Sequence, residues 1–369
     1  MRVSPLLSWM DREQTIRASW RSDQYRRRKG QEMLRKPSFL ITIDTEGDNL
    51  WSKPRTATTI NASYLPRFQE LCEKYGFKPT YLTNYEMANS ITFQKLGKDI
   101  IKRGVGEIGM HLHAWDMPPS YKLTEDDSRF HPYLIEYPEK VMRQKISLMT
   151  DLLENTFGVK MLSHRAGRWS FDEQYAQILI ELGYKVDCSV TPHVSWKSHL
   201  GDPKKDGGTD YTNFPETAYF IDPLDISRPG QSTLLEIPVS IKNTYGLVNT
   251  ALSSSLLGNI SLARRISNRL YPKVWLRPDG TNLNQMLGYL RYALSTKRDY
   301  VEFMLHSSEF MPGGSPLFKS ESAIEQLYHC LESLFAEASV HFAGCTLSQY
   351  FEQFTREVNT QPHRQKVHG

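Results

Sequence analysis

Asp44, Glu46 and Asp48 stand two apart in Asp44-Thr45-Glu46-Gly47-Asp48, directly after an apolar run. His111 and His113 repeat that spacing in Glu107-Ile108-Gly109-Met110-His111-Leu112-His113. Alternate side chains of an extended chain share a face, so Asp44 and Glu46 point one way and both imidazoles can address one point. Two His and one carboxylate suffice to hold a divalent metal with positions left open for water and substrate. Either pair alone is a weak signal. With 11 His in 369 residues, a His-x-His arises by chance roughly 0.3 times per chain. A capped loop or a satisfied core group explains each pair taken singly. Three further polar blocks also follow apolar runs: Ser163-His164-Arg165-Ala166-Gly167-Arg168-Trp169, Asp187-Cys188-Ser189-Val190-Thr191-Pro192 and Leu305-His306-Ser307-Ser308-Glu309. Chance accounts poorly for so many blocks at successive strand ends.

The intervening pattern supplies elements to hold them. Ser38 to Ile43, Pro79 to Thr83, Glu107 to His113, Val159 to His164, Tyr184 to Val190, Leu234 to Val239 and Tyr300 to Leu305 read as strands. Helical spacing separates them, as in Leu65, Phe68, Leu71, Cys72 and Tyr75, or Val141, Met142, Ile146, Met149, Leu153 and Phe157 before Gly158. Helical faces also lead into Gly104 and Gly183. Repeated β–α units imply a parallel sheet, closed into a barrel or doubly wound. In such folds the carboxyl ends of the strands form the binding face. Two stretches, 192–232 and 243–282, break the rhythm and read as loop excursions from one domain spanning 37–369.

Composition narrows the class. At 369 residues and 39% hydrophobic the chain can bury a large core and is not disordered. No run reaches the roughly 18 apolar residues a membrane span needs, and no secretory signal is expected. Cys72, Cys188, Cys330 and Cys345 are scattered and read as reduced core residues. These features point to the cytoplasm. The net charge of +4 is uneven. Residues 1–36 hold ten basic and four acidic residues, a +6 arm, with Trp9, Trp20 and Tyr25 among them. A solubilising arm is the plain reading. Peripheral contact with an anionic inner-membrane surface is the alternative, and no nucleic-acid partner is expected. The 7 Trp and 19 Tyr suit core packing or a sugar groove equally.

Taken in order, the blocks resemble the motifs of NodB-type polysaccharide deacetylases. The resemblance rests on Ile43-Asp44-Thr45-Glu46, Glu107-Ile108-Gly109-Met110-His111-Leu112-His113, His164-Arg165-Ala166-Gly167, Asp187-Cys188-Ser189 and Leu305-His306-Ser307, which span about residues 38–310. His-Leu-His-Ala-Trp and Arg-Ala-Gly-Arg-Trp resemble a divergent branch from surface-polysaccharide and lipopolysaccharide biosynthesis loci. The chain departs from that family in two places. Asp44 and Glu46 are not adjacent, and Trp115 stands where the second His usually falls.

The resemblance implies an irregular (β/α) barrel and a metal-dependent hydrolase that removes an N-acetyl group from an amino sugar, in a surface glycan or its lipid-linked precursor. It implies a divalent ion, zinc first among them, on His111, His113 and Glu46 or Asp48. It implies Asp44 as general base, His306 as acid toward the leaving amine, and Arg165 and Asp187 as groups that orient and tune them. Trp115, Arg168, Trp169, Trp275 and Arg277 are the expected substrate contacts. The competing readings are a mononuclear iron oxygenase, a catalytically silent glycan-binding protein on the same fold, and an amidohydrolase of a small non-sugar amide.

Overall fold

The computed structural model describes residues 36–48, 50–53, 56–243 and 273–360. The basic arm, apart from Lys36, and residues 244–272 of the second excursion lie outside the described residues.

β1 (Ser38–Thr45) is buried along its whole length and sets the pattern for the sheet. Phe39, Ile41 and Ile43 join a large apolar cluster with the helices, while Leu40 joins a separate cluster on the opposite, concave face. That period-two split leaves Thr42 and Asp44 on the concave side as well. The other strands are β2 (Thr80–Thr83), β3 (Glu107–Leu112), β4 (Ser163–Ala166), β5 (Val186–Asp187), β6 (Tyr219–Asp222), β7 (Asp225–Pro229), β8 (Leu235–Glu236), β9 (Ile241–Lys242), β10 (Val274–Trp275), β11 (Tyr300–His306) and β12 (Ala343–Gly344). Seven of them run parallel in the order β11-β1-β2-β3-β4-β5-β8.

β8 and β11 do not pair directly. The chain following β8 partly spans the gap: Ser240 Oγ accepts from Glu302 N at 2.8 Å, Leu276 N donates to Ser240 O, and Met304 N donates to Leu276 O. The sheet is therefore a curled, irregular β/α barrel.

The helices coat the convex side. α1 (Leu65–Lys74) buries Leu65, Phe68 and Cys72, α2 (Ile91–Arg103) buries Phe93, Gly97 and Ile100, and α3 (Glu139–Phe157) stops at Gly158 in the left-handed region at φ 71°. α4 (Glu173–Leu182) starts where the Asp172 side chain accepts from Tyr175 N. α5 (Leu283–Ser295) and α6 (Glu321–His341) complete the coat, and α7 (Leu347–Thr360) packs on the other face. Leu347 and Tyr350 of α7 plug the barrel floor against Leu40, Leu82, Val186, Leu235 and Ile237. Among the described residues no helix is long and apolar enough to cross a membrane.

Two expectations are corrected here. The strand expected at Val159 to His164 forms instead at Ser163–Ala166, which carries Arg165 into the sheet. The stretch 192–232 is not wholly loop, because β6 and β7 form a hairpin that extends the sheet antiparallel to β8. Tyr219 and Ile221 are buried, while Phe220 packs on Phe351 and Phe354 of α7. Both faces of β6 are thus covered, which hides a polar/apolar alternation in the sequence.

Candidate metal centre

Strand register assembles the site. Asp44 pairs with His306 across β1 and β11, and His111 pairs with Arg165 across β3 and β4. These neighbouring strand ends deliver their concave-face side chains to one mouth.

Glu46, His111 and His113 are buried, with ligand atoms all within 4.8 Å of one another. The two Nε2 atoms lie 3.1 Å apart, and Glu46 Oε2 lies 2.9 Å from His113 Nε2 and 3.6 Å from His111 Nε2. Tetrahedral zinc with bonds of about 2.0–2.1 Å has ligand–ligand edges of about 3.3 Å, so the triangle is the right size. His111 Nδ1–H donates to Arg165 O at 3.0 Å, which turns the Nε2 lone pair toward the triangle. The donor set therefore fits a divalent ion. Asp48 is not part of it. Its carboxylate accepts from Asn61 N, Ile60 N and Thr58 Oγ1 and holds the turn at Ile60–Tyr64. Asn61 Nδ2 and Ser307 Oγ donate in turn to Glu46 O, and Glu46 N donates to Ser307 Oγ, fastening the Glu46 backbone to the β11 end. Burial alone would raise the Glu46 carboxyl, but His306, His111 and His113 outweigh it and hold Glu46 well below the usual range.

Gly167 is required by close approach. A Cβ there would meet Leu112 O at 2.3 Å and His113 Nδ1 at 2.8 Å.

Beneath the triangle lies Arg165, the largest fully buried side chain among the described residues. Its Nη1 donates to Asp44 Oδ1 at 2.6 Å, its Nε to Cys188 O at 3.0 Å, and its Nη2 to Thr42 Oγ1 at 2.9 Å and to Glu302 Oε1. Two carboxylates share one guanidinium, and their environments drive them apart. Burial raises Asp44, yet Arg165, His111 and His306 overcome it and hold the carboxyl low. At Glu302 burial wins and pushes the carboxyl up to about 7. Glu302 Oε2 has no hydrogen-bond partner among the described residues.

His306 faces Asp44 from the other side. Its Nε2 lies 3.8 Å from both Asp44 Oδ2 and Glu46 Oε1. Its Nδ1 lies 3.2 Å from Glu309 Oε2, which also accepts from His306 N at 2.9 Å. Arg277 Nη2 donates to Glu309 and stands 3.2 Å from His306 Nδ1. Burial raises Glu309, but Arg277 and His306 keep it low and charged. Glu309 and Glu302 carried no role in the sequence reading. The signals were a lone Glu in the apolar run Tyr300 to Leu305 and a carboxylate three residues past His306.

The structure does not bring Asp187 to this cluster. It accepts from Ser189 N and Ser189 Oγ and lies 2.6 Å from His164 Nδ1, whose Nε2 lies 2.7 Å from Tyr175 OH of α4. His164 and Arg165 are consecutive on β4, so they face opposite sides of the sheet. Asp187 sits with His164, not with Arg165.

Of the expected substrate contacts, Trp115 lies 4.5 Å from the His113 ring and stacks on His131 at 4.0 Å and 1°. Arg277 stands at the mouth beside His306. Trp169 is 9% exposed and caps the Arg165 guanidinium at 4.8 Å, with Trp275 against it at 6.4 Å. Arg168 Nη1 donates to His131 O and Nη2 to Leu200 O. Trp51, which the sequence reading passed over, is 40% exposed and sets its edge on His306 at 4.9 Å.

No protein-family model and no curated protein sequence matches the chain. Solved structures do. One described as a glycoside hydrolase/deacetylase from Parabacteroides distasonis aligns at a TM-score of 0.59 and 8% identity, covering 87% of this chain and 72% of that one. One described as a polysaccharide deacetylase, from Mycobacterium smegmatis, aligns at 0.47 and 15%, covering 88% and 92%. The Xyl-CE4 domain of a multidomain xylanase from the hindgut metagenome of Trinervitermes trinervoides aligns at 0.41 and 13%, covering 87% and 92%. The first of these shows a shared fold.

Proposed function

We propose that this chain is a metal-dependent carbohydrate N-deacetylase, hydrolysing the acetamide of an amino sugar in a surface glycan or its lipid-linked precursor. The observation that carries the reading is the buried Glu46–His111–His113 triangle flanked by a carboxylate held low, Asp44, and an imidazole 3.8 Å away, His306. A divalent ion held by those three side chains, zinc by their N/O donor set, would supply Lewis acidity toward an amide carbonyl.

The chain's own residues supply the proton transfers. Asp44, anchored through Oδ1 by Arg165, presents Oδ2 toward the mouth as the base for an attacking water. His306 is oriented by Glu309 through Nδ1, so Nε2 faces the same space and serves as acid for the departing amine. Glu309 takes the orienting part that the family resemblance gave to Asp187. The need for both a base and an acid favours catalysis over glycan binding, which uses neither. The site's concave position on a β/α barrel argues against the iron oxygenase reading. A cytoplasmic setting, with substrate met at the inner face of the membrane, is part of the proposal.

The test is acetate release from N-acetylated amino sugars by purified protein, before chelation, after chelation and after restoring zinc. Loss and recovery of release is the expected result. Undiminished release from metal-free protein would overturn the metal-dependent reading.

A further inference from the structure

An arc of rings and cations crosses the mouth. From His113 it passes to Trp115 and then to His131, through ring contacts of 4.5 and 4.0 Å. Arg168 donates to the carbonyl of His131, and Lys53 Nζ donates to the carbonyl of Arg129, two residues earlier, at 2.7 Å. Lys53 follows directly on the turn at Leu50–Ser52, whose Trp51 rests on His306. Lys53, Arg129 and Arg168 thus stand together between the ring on a metal ligand and the ring on the proposed acid.

Among the described residues none of the three is in an ion pair. Their contacts are neutral: carbonyls for Lys53 and Arg168, the Tyr133 ring at 4.1 Å for Arg168, and the Phe130 ring at 5.3 Å for Arg129. Nearby carboxylates accept from main-chain amides, and Glu136 among them also attracts Arg168 through space. Glu136 accepts from Tyr133 N and Asp202 N, Asp126 from Arg129 N, and Asp127 from Leu123 N and Thr124 N. A guanidinium has five N–H donors and an ammonium three; two carbonyls engage Arg168 and one engages Lys53, so both keep donors to offer. Arg168 also holds φ at +55°, an unfavourable conformation for an L side chain and one that clusters at functional sites. Burial, then Arg168 and Arg129, lowers Lys53.

We propose that Lys53, Arg129 and Arg168 form a subsite for a phosphate group, so that the N-acetylated sugar is presented as a phosphate or diphosphate conjugate. The proposal rests on the deacetylase reading. Three cations suit a multiply charged anion better than a single carboxylate, and the guanidinium fork matches phosphate oxygens.

Calorimetric titration of the full chain with N-acetylglucosamine, its 1-phosphate and its uridine diphosphate conjugate tests this. Phosphate-bearing ligands should bind about tenfold or more tighter than the neutral sugar, with the advantage shrinking as salt rises. It should fall to about threefold or less in Lys53→Ala/Arg129→Ala, a pair of exposed positions, with the fold checked by circular dichroism. A water-soluble prenyl diphosphate sugar separates the sources: tighter binding than the nucleotide conjugate points to a lipid carrier, and the reverse to a nucleotide. Equal affinity for neutral and phosphorylated sugars overturns the proposal. So does an advantage retained in the double variant, which would put the phosphate elsewhere. Acetate release by the wild-type protein from neutral N-acetylglucosamine oligomers, without any phosphate preference, would remove the subsite and leave the deacetylase. Phosphate preference without acetate release from any of these sugars would do the opposite.

Discussion

Replacing Glu302 by Gln should make the protein's stability less sensitive to pH, and the structure fixes the direction. The wild-type carboxyl is fully buried and pushed up from an ordinary 4.5 to about 7. Its folded value lies above its unfolded one, so the folded state keeps the proton longer. The Glu302 contribution is fully present below about pH 4.5, is lost as pH rises from there to about 7, and is flat beyond. At 1.36 kcal/mol per pKa unit the loss is about 3 kcal/mol. Gln is neutral throughout, and its amide oxygen can keep the bonds from Thr42 Oγ1 and Arg165 Nη2. Urea unfolding of both proteins from pH 4.5 to 8.5 reads the contribution, because titrating groups remote from Glu302 cancel in the difference. Glu302→Gln should gain up to about 3 kcal/mol on wild type across that range. A difference that does not change with pH, or that favours wild type more as pH rises, would mean that Glu302 is an ionised partner of Arg165 throughout, and the division between Asp44 and Glu302 would be wrong.

Other outcomes follow from the same geometry. Glu309→Gln should lower kcat about 10- to 100-fold with substrate affinity little changed, read by steady-state kinetics, because it removes the carboxylate charge beside His306 Nδ1. Asp44→Asn and His306→Ala should each lower turnover by about 10²-fold or more, with metal content measured alongside; near-normal rates would remove that residue from the chemistry. Gly167→Ala should loosen zinc retention, measured by competition with a chromogenic chelator, since the added methyl group meets Leu112 O and His113 Nδ1 at 2.3 and 2.8 Å. Retention equal to wild type would show that the β3–β4 junction yields without moving His113.

How much of this could be read from the chain alone depended on geometry. The β–α alternation and the strand ends were readable because buried parallel strands leave continuous apolar runs. The convergence of Glu46, His111 and His113 followed from period-two spacing. The choice between Glu46 and Asp48 did not, because it rests on Thr58 and Asn61 engaging Asp48 from ten and thirteen residues on. Asp187 illustrates a different limit. The order of motifs does not say which side of the sheet a residue faces, and a two-residue strand such as β5 offers no alternation to read. Glu302 announced itself as a lone charge in an apolar run, yet its partner Arg165 is 137 residues away. Helices α5 to α7 went unread, although Met286, Tyr289, Leu290 and Ala293 lie at helical spacing and are buried.

The most direct test of the central claim is mass spectrometry of N-acetylated amino-sugar oligomers, with and without a 1-phosphate, after incubation with the zinc-loaded protein. The expected result is loss of one acetyl group with one equivalent of acetate released, abolished by chelation and in Asp44→Asn. Unchanged mass for every such substrate, with metal bound and the protein folded, would contradict it.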